Sequence, residues 1–285
     1  MEKYIEDTIL SVLSQNYPNL EYIVIDGAST DHTLDIINKY KDKISLIISE
    51  KDNGMYNAIN KGFKHATGDI FAWLNADDTY FPWTLHTVGQ LFSEHENVQW
   101  AIGQTSFMIE QRRVNKIFNN NCAYNNKYIA KGWHRAGVLG PLQQESMFWR
   151  KELWNRVNGL NENYKLAADF ELWTRFAKYA ELTTIALPLA AFYIRKDSLS
   201  HSETTSQKYI SEVNFICKQI SSGYPNIFFK YFGNNTKVNR ILRLLMWSKS
   251  PLYAYSMQKQ CWIYKKLYRS ISNTTLSYLL IERQL

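Results

Sequence analysis

Three short apolar runs, each ending in a knot of acidic residues, constrain this chain more than any other feature. They are Leu20-Glu21-Tyr22-Ile23-Val24-Ile25, Ile44-Ser45-Leu46-Ile47-Ile48 and Ile70-Phe71-Ala72-Trp73-Leu74. They are rich in β-branched and aromatic residues and only weakly alternating, which suits strands buried on both faces. Helical segments separate them, Asp31 to Tyr40 and Tyr56 to His65, and the strand starts fall about 25 residues apart. That repeat predicts an α/β fold with a mostly parallel central sheet flanked by helices. Met1 to Asn16 reads as an amphipathic helix and not as a secretory leader.

Beyond residue 80 the pattern changes. A helix is predicted from Pro82 to Phe92, with strands over Val98 to Gly103, Thr105 to Ile109 and Ser146 to Trp149. Residues 112–143 are polar, aromatic and irregular, the mark of a long functional loop. Phe170, Trp173, Phe176 and Ala177 share one face of a helix predicted over Asp169 to Tyr179. Leu182 to Leu187 and Ala190 to Arg195 resume strand character, and from Glu203 the chain reads as mostly helical.

In open parallel sheets, ligands bind beyond the carboxyl ends of the strands. The first run leads into Asp26-Gly27-Ala28-Ser29-Thr30-Asp31, the second into Glu50-Lys51-Asp52-Asn53-Gly54, the third into Asn75-Ala76-Asp77-Asp78. Carboxylates gathered at one edge repel one another unless a cation is bound, and their hard oxygens favour Mg²⁺ or Mn²⁺ over zinc. Taken singly, Asp26-Gly27 is also a turn signal and Asp31 a helix cap. Asp77-Asp78 has no partner in the local sequence, and that pair points to a site.

These residues lie in three long blocks. They read "ILSVLSQNYPNLEYIVIDGASTDHTLDII", "ISEKDNGMYNAINKGFKHATGDIFAWLNADD" and "QQESMFWRKELWNRVNGLNENYKLAADFELWTRF". In order and spacing they resemble the family 2 glycosyltransferases, over about residues 4–200. The resemblance implies the nucleotide-diphospho-sugar transferase (GT-A) fold and inverting transfer of a sugar to a hydroxyl of a glycan or lipid-linked acceptor, in bacterial surface polysaccharide synthesis. It implies that Asp26, with Asp31 and Asn75, holds the nucleotide and that Asp77 and its neighbour Asp78 bind the divalent ion. Asn75 stands where the family's D-x-D motif has its first aspartate, so one charge is absent. Asp169 matches the catalytic base, and Gln143, Gln144, Glu145 and Trp173 fall beside the acceptor or donor sugar. Arg195 lies near a position where many relatives carry histidine. A helix N-terminus stabilises an ionised carboxylate by ~0.3–1 kcal/mol, which predicts a weakened base at Asp169. Relatives open with an apolar strand that precedes the helix found here at Lys3, so a catalytic region over 1–201 lacking its first strand is the expectation.

Residues 202–285 hold 12 Lys and Arg against 3 Asp and Glu, while residues 1–201 hold 21 against 23. The charge excess belongs to this tail alone, which argues against a nucleic-acid binder. Over 240–270, Arg240, Arg243, Lys249, Lys259, Lys265, Lys266 and Arg269 interleave with Leu, Trp and Tyr. This predicts a basic helical region, either docked on the catalytic body or in peripheral contact with an anionic membrane. No stretch reaches the ~18 apolar residues of a membrane span. Cys122, Cys217 and Cys261 form no disulfide framework, which fits a cytoplasmic setting, at most at the inner face of the membrane. Two other readings compete with a transferase: a catalytically inactive sugar-nucleotide or glycan-binding module, and a pyrophosphorylase. The pyrophosphorylase lacks its glycine-rich loop in this sequence.

Overall fold

The computed structural model describes residues 1–104, 106–109, 113–117, 124–135, 139–194, 203–220 and 247–270. In chain order it begins α1 (Ile5–Leu13), β1 (Ile23–Asp26), α2 (Thr33–Asn38), β2 (Leu46–Ser49), α3 (Met55–His65), β3 (Ile70–Phe71), β4 (Thr79–Tyr80) and α4 (Thr84–Glu94). It continues β5 (Trp100–Gln104), β6 (Ser106–Ile109), β7 (Arg113–Ile117), α5 (Asn126–Ala130), β8 (Met147–Arg150), α6 (Lys151–Arg156) and α7 (Ala168–Phe176). It ends β9 (Leu182–Pro188), β10 (Ala190–Tyr193), α8 (Glu203–Ile220), β11 (Trp247–Ser256) and β12 (Cys261–Ser270).

Six strands form the main sheet in the order β12, β11, β9, β5, β8, β3. β9 runs parallel to both β5 and β11, while β8 is antiparallel to β5 and β3. The βα repeat of the first residues builds one parallel pair, β1 with β2, and the remainder is mixed. Among the described residues, β1 and β3 share no ladder, so the sheet is divided between them. A third sheet runs β4, β10, β6, β7. β3 stops at Phe71, short of the predicted Leu74, because a side chain takes over from the ladder: Gln144 Nε2 donates to the Trp73 carbonyl at 2.7 Å.

The core beneath the main sheet is aromatic. Trp100, Trp149 and Trp173 are fully buried and pack with Trp73, Trp154, Phe71 and Phe176. Trp73 and Trp173 lie parallel, 5.8 Å between centroids, an offset-stacking distance that adds to their burial. A separate cluster joins Ile5 and Ile9 of α1 to Val24, Ile37 and Ile44, with Ala76 packed against it.

The tail departs from expectation. α8 is helical as predicted, but residues 247–270 form a hairpin in which β11 pairs with β12 and extends the main sheet through Leu252↔Thr184 and Tyr253↔Ile185. Aromatic residues favour strands when they find a face to pack on. Tyr253 is buried and stacks on Trp262 at 4.9 Å. Lys265 and Lys266 are exposed on β12, the sheet's edge, where lysine opposes further strand pairing. The interleaving of basic and aromatic residues is therefore, over 247–270, an edge hairpin and not a surface helix. Arg240, Arg243 and Arg195 lie outside the described residues. No helix among the described residues is long and apolar enough to cross a membrane.

Candidate active site

The acidic turn after β3 is held by α1 and β10 and by a bond within itself. Thr8 Oγ1 on α1 donates to the carbonyls of Ala76 (3.0 Å) and Asp78 (2.8 Å). Asp78 is buried, and its Oδ1 accepts the Tyr193 amide of β10 at 2.9 Å. Its Oδ2 accepts Asn75 Nδ2 at 3.2 Å. Asp78, expected beside Asp77 at the metal, is thus also an internal brace, with a protein donor on each of its oxygens. Asp77, one residue earlier, is half-buried at the turn.

The segment Gln143 to Glu145 packs behind that turn, and its amides serve the backbone. Gln143 exchanges two 3.0 Å bonds with Ser106 of β6, as a strand would. Gln144 holds Trp73, as above, and Asn75 Nδ2 approaches its Oε1 at 3.4 Å. Both glutamines were expected beside the acceptor or donor sugar, and these bonds fix where their side chains stand. Glu145 is buried, and its Oε1 has no hydrogen-bond partner. Burial, reinforced by the Asp78 charge, pushes its carboxyl well above the ordinary glutamate range.

Asp169 stands in the first turn of α7, on the wall of a small pocket shared with His134, Leu142, Trp173 and Tyr209. Tyr56 of α3 donates its hydroxyl to Asp169 Oδ1 at 3.1 Å. Burial raises the Asp169 carboxyl, outweighing bonds from the Phe170 amide and Tyr56. The helix N-terminus therefore loses to desolvation, and the group is a stronger base than its position in α7 predicts. Trp173, expected beside the acceptor or donor sugar, lines this pocket and also packs in the aromatic core. The loop leading to Asp169 is clamped. Asn60 of α3 donates to Leu160 O (2.9 Å) and Glu162 Oε1 (2.8 Å), and Asn57 to Glu162 Oε2 (2.8 Å). Arg175 Nη2 holds Gly159 O at 2.8 Å, where Gly159 adopts φ +66° with Trp154 and Asn60 too close to admit a side chain.

Asp26 ends β1, buried, with Ser29 N at 3.0 Å and Ser49 Oγ at 2.6 Å on Oδ2 and Ser29 Oγ on Oδ1. Burial raises its carboxyl, but the serine bonds prevail and hold it below the ordinary range. Ala28 sits at φ +62°, where side chains are strained, a backbone outlier of the kind that gathers at ligand turns. Asp31, expected with Asp26 at the nucleotide, is engaged at the chain's amino end. It bonds the amides of Glu2 and Thr33 and pairs with the Met1 amino group, which lowers its carboxyl.

A family model described as Glycosyl transferase family 2 matches residues 1–155. The chain belongs to glycosyl transferase family 2. This glycosyltransferase is 24% identical to an uncharacterized glycosyltransferase of Haemophilus influenzae, over 98% of this chain and 86% of the relative. It is 27% identical to a PGL/p-HBAD biosynthesis glycosyltransferase of Mycobacterium bovis, over 67% of this chain and 72% of the relative. Among solved structures it resembles S. aureus TarS 1-349 in complex with UDP-GlcNAc, with TM-score 0.59, 19% identity, and 84% and 74% of the two chains covered. It also resembles the mannosyltransferase PcManGT of Pyrobaculum calidifontis in complex with GDP-Man and Mn²⁺, with TM-score 0.55, 19% identity, and 83% and 66% covered. These likenesses show the GT-A fold.

Among the described residues of the glycosyltransferase, no three His, Cys, Asp or Glu side chains gather as a self-sufficient metal cage. A Mg²⁺-like ion needs none, since it is usually held by one or two carboxylates plus substrate phosphates and water. Asp77 with the Asn75 amide oxygen is a donor set of that kind, because Asn75 commits its nitrogen to Asp78 and Gln144 and keeps its oxygen to offer. Sequence reading missed Tyr56, Asn57, Asn60, His134, Tyr209 and Glu212 around Asp169. They come from elements distant in sequence, and none forms a motif with it.

Proposed function

We propose that this family 2 glycosyltransferase is inverting, and that it moves a sugar from a nucleoside diphosphate donor to a hydroxyl of a glycan or lipid-linked acceptor, with Asp169 as base. The observation that carries the reading is the half-buried Asp169 carboxyl, pushed up by burial and oriented by Tyr56 on the wall of a pocket. A base of raised basicity takes the acceptor proton as the hydroxyl attacks the anomeric carbon. Asp26 closes the turn on which the nucleotide would lie, and Asp77 with Asn75 would hold a divalent cation. That cation, when bound, offsets the charge of the departing diphosphate. The solved relatives in complex with UDP-GlcNAc and with GDP-Man and Mn²⁺ support a donor of this class.

The test is release of nucleoside diphosphate from UDP-N-acetylglucosamine and GDP-mannose with Mn²⁺. Asp169→Asn is expected to slow release by about 100- to 10,000-fold, the usual contribution of a positioned base, while donor binding by calorimetry persists. Undiminished release by that variant would remove Asp169 from the reaction.

A further inference from the structure

Glu212 lies on α8, outside the residues matched by the family and outside every motif in the sequence. Its carboxylate accepts three consecutive backbone amides. Oε1 takes Lys165 N at 2.8 Å, and Oε2 takes Leu166 N at 2.7 Å and Ala167 N at 2.6 Å. Bonds to an ionised acceptor are about twice as strong as neutral ones. The three amides form the turn that leads into α7, and Asp169 follows two residues after the last. The clamp is seated by apolar packing of Val213, Ile216 and Cys217 on Ala167 and Phe170. Tyr209, one turn earlier on the same helix, lines the Asp169 pocket.

We infer that Glu212 is a positioning residue for glycosyl transfer: by gripping the amides of residues 165–167 it sets where the Asp169 carboxylate stands. This rests on Asp169 being the base. Asn57 and Asn60 hold the same loop from α3 through Glu162, so Asp169 is suspended between α3 and α8. A catalytic group displaced by ~1 Å can lose about 100-fold in rate, so a rigid suspension has a direct chemical consequence. The groups facing Asp169 are Tyr56 from α3, Glu145 from the turn before β8, His134 from the loop after α5, and Tyr209 and Glu212 from α8. The Glu212 charge raises the Asp169 carboxyl in the same direction as burial, and the Tyr56 bond opposes it. Removing that charge therefore lowers the Asp169 midpoint.

The decisive variant is Glu212→Gln, which keeps size and removes charge. Two readouts are taken. One is the Asp169 carboxyl-carbon resonance titrated by NMR, assigned with Asp169→Asn. The other is nucleoside diphosphate release from UDP-N-acetylglucosamine and GDP-mannose with Mn²⁺. The midpoint is expected to fall, and kcat to drop about 10- to 100-fold with donor KM held within about twofold. If Glu212→Gln does not fold, Glu212→Asp keeps the charge but shortens the reach, and is expected to lose kcat while retaining the raised midpoint. An unchanged midpoint and kcat beside a lowered melting temperature would make Glu212 purely structural and overturn the inference. Asp169→Asn separates the two failures. Full release by that variant overturns the base assignment, whereas an inactive Asp169→Asn beside a fully active Glu212→Gln overturns only the positioning role.

Discussion

Asp77 and Asp78 are adjacent carboxylates with opposite surroundings, and the difference is testable by single substitutions. Asp78→Ala strips the buried Tyr193 amide of its acceptor and is expected to cost about 1–3 kcal/mol in urea unfolding. Asp77→Ala is expected to weaken Mn²⁺-dependent donor binding at least about tenfold by calorimetry, because it removes the one charged donor of the proposed cation set. Equal donor affinity in the presence and absence of Asp77 would move the cation elsewhere. Glu145 gives a pH signature. Its folded-state carboxyl lies well above the ordinary 4.5, through burial first and the Asp78 charge second. The folded chain thus holds a proton that the unfolded chain has released, and stability falls as pH rises from about 4.5 toward the raised value. Glu145→Gln removes that loss. It is expected to match wild type near pH 4 and to exceed it by about 1–3 kcal/mol near pH 8. A constant difference across pH would show that Glu145 titrates alike in the folded and unfolded chains, so that its carboxyl is not raised.

Elements differ in how openly the sequence announced them. β1, β2, α3 and α7 were legible because each repeats a period on its own: apolar runs for the strands, Phe170, Trp173 and Phe176 on one face for the helix. The hairpin of β11 and β12 was not. Its turn, residues 257–260, carries no glycine, proline or asparagine, and Gln260 takes the left-handed φ +50° that such residues normally announce. Its inward face is defined by contact with β9 and with Glu94 and His95 at the end of α4, all far earlier in the chain, so basic and aromatic residues in alternation read as a helix. The site shows the same limit. Asp169 and Asp77 stood out by motif, but a helix face says nothing of which neighbours Trp173 meets in the core, and Glu212 holds amides far away in sequence. The hairpin's place in the sheet predicts a large penalty for Tyr253→Ala. That substitution empties a fully buried site stacked on Trp262 and is expected to cost about 3–5 kcal/mol in urea unfolding. A loss under about 1 kcal/mol would mean that the hairpin does not dock on β9 in solution.

At the scale of the whole molecule, the proposed site straddles a division in the sheet. Asp26 belongs to the β1–β2 pair, whereas Asn75 and Asp77 follow β3 of the six-stranded sheet, and the two sheets share no ladder among the described residues. Side-chain packing joins them instead, through Ala76 on the cluster of Ile5, Ile9 and Val24 and through the Thr8 hydroxyl on the acidic turn. A two-strand pair with half-buried faces opens more easily than β5, which is buried along its length between β8 and β9. Hydrogen exchange is therefore expected to be at least about tenfold faster over 23–26 and 46–49 than over 100–104. A donor held by Asp26 on one side and by the Asn75–Asp77 turn on the other would bridge the division. Adding the donor with Mn²⁺ should then slow exchange over 23–29 and 46–49 more than over 100–104. Protection confined to the six-stranded sheet would place the nucleotide away from Asp26 and remove β1 from the binding site.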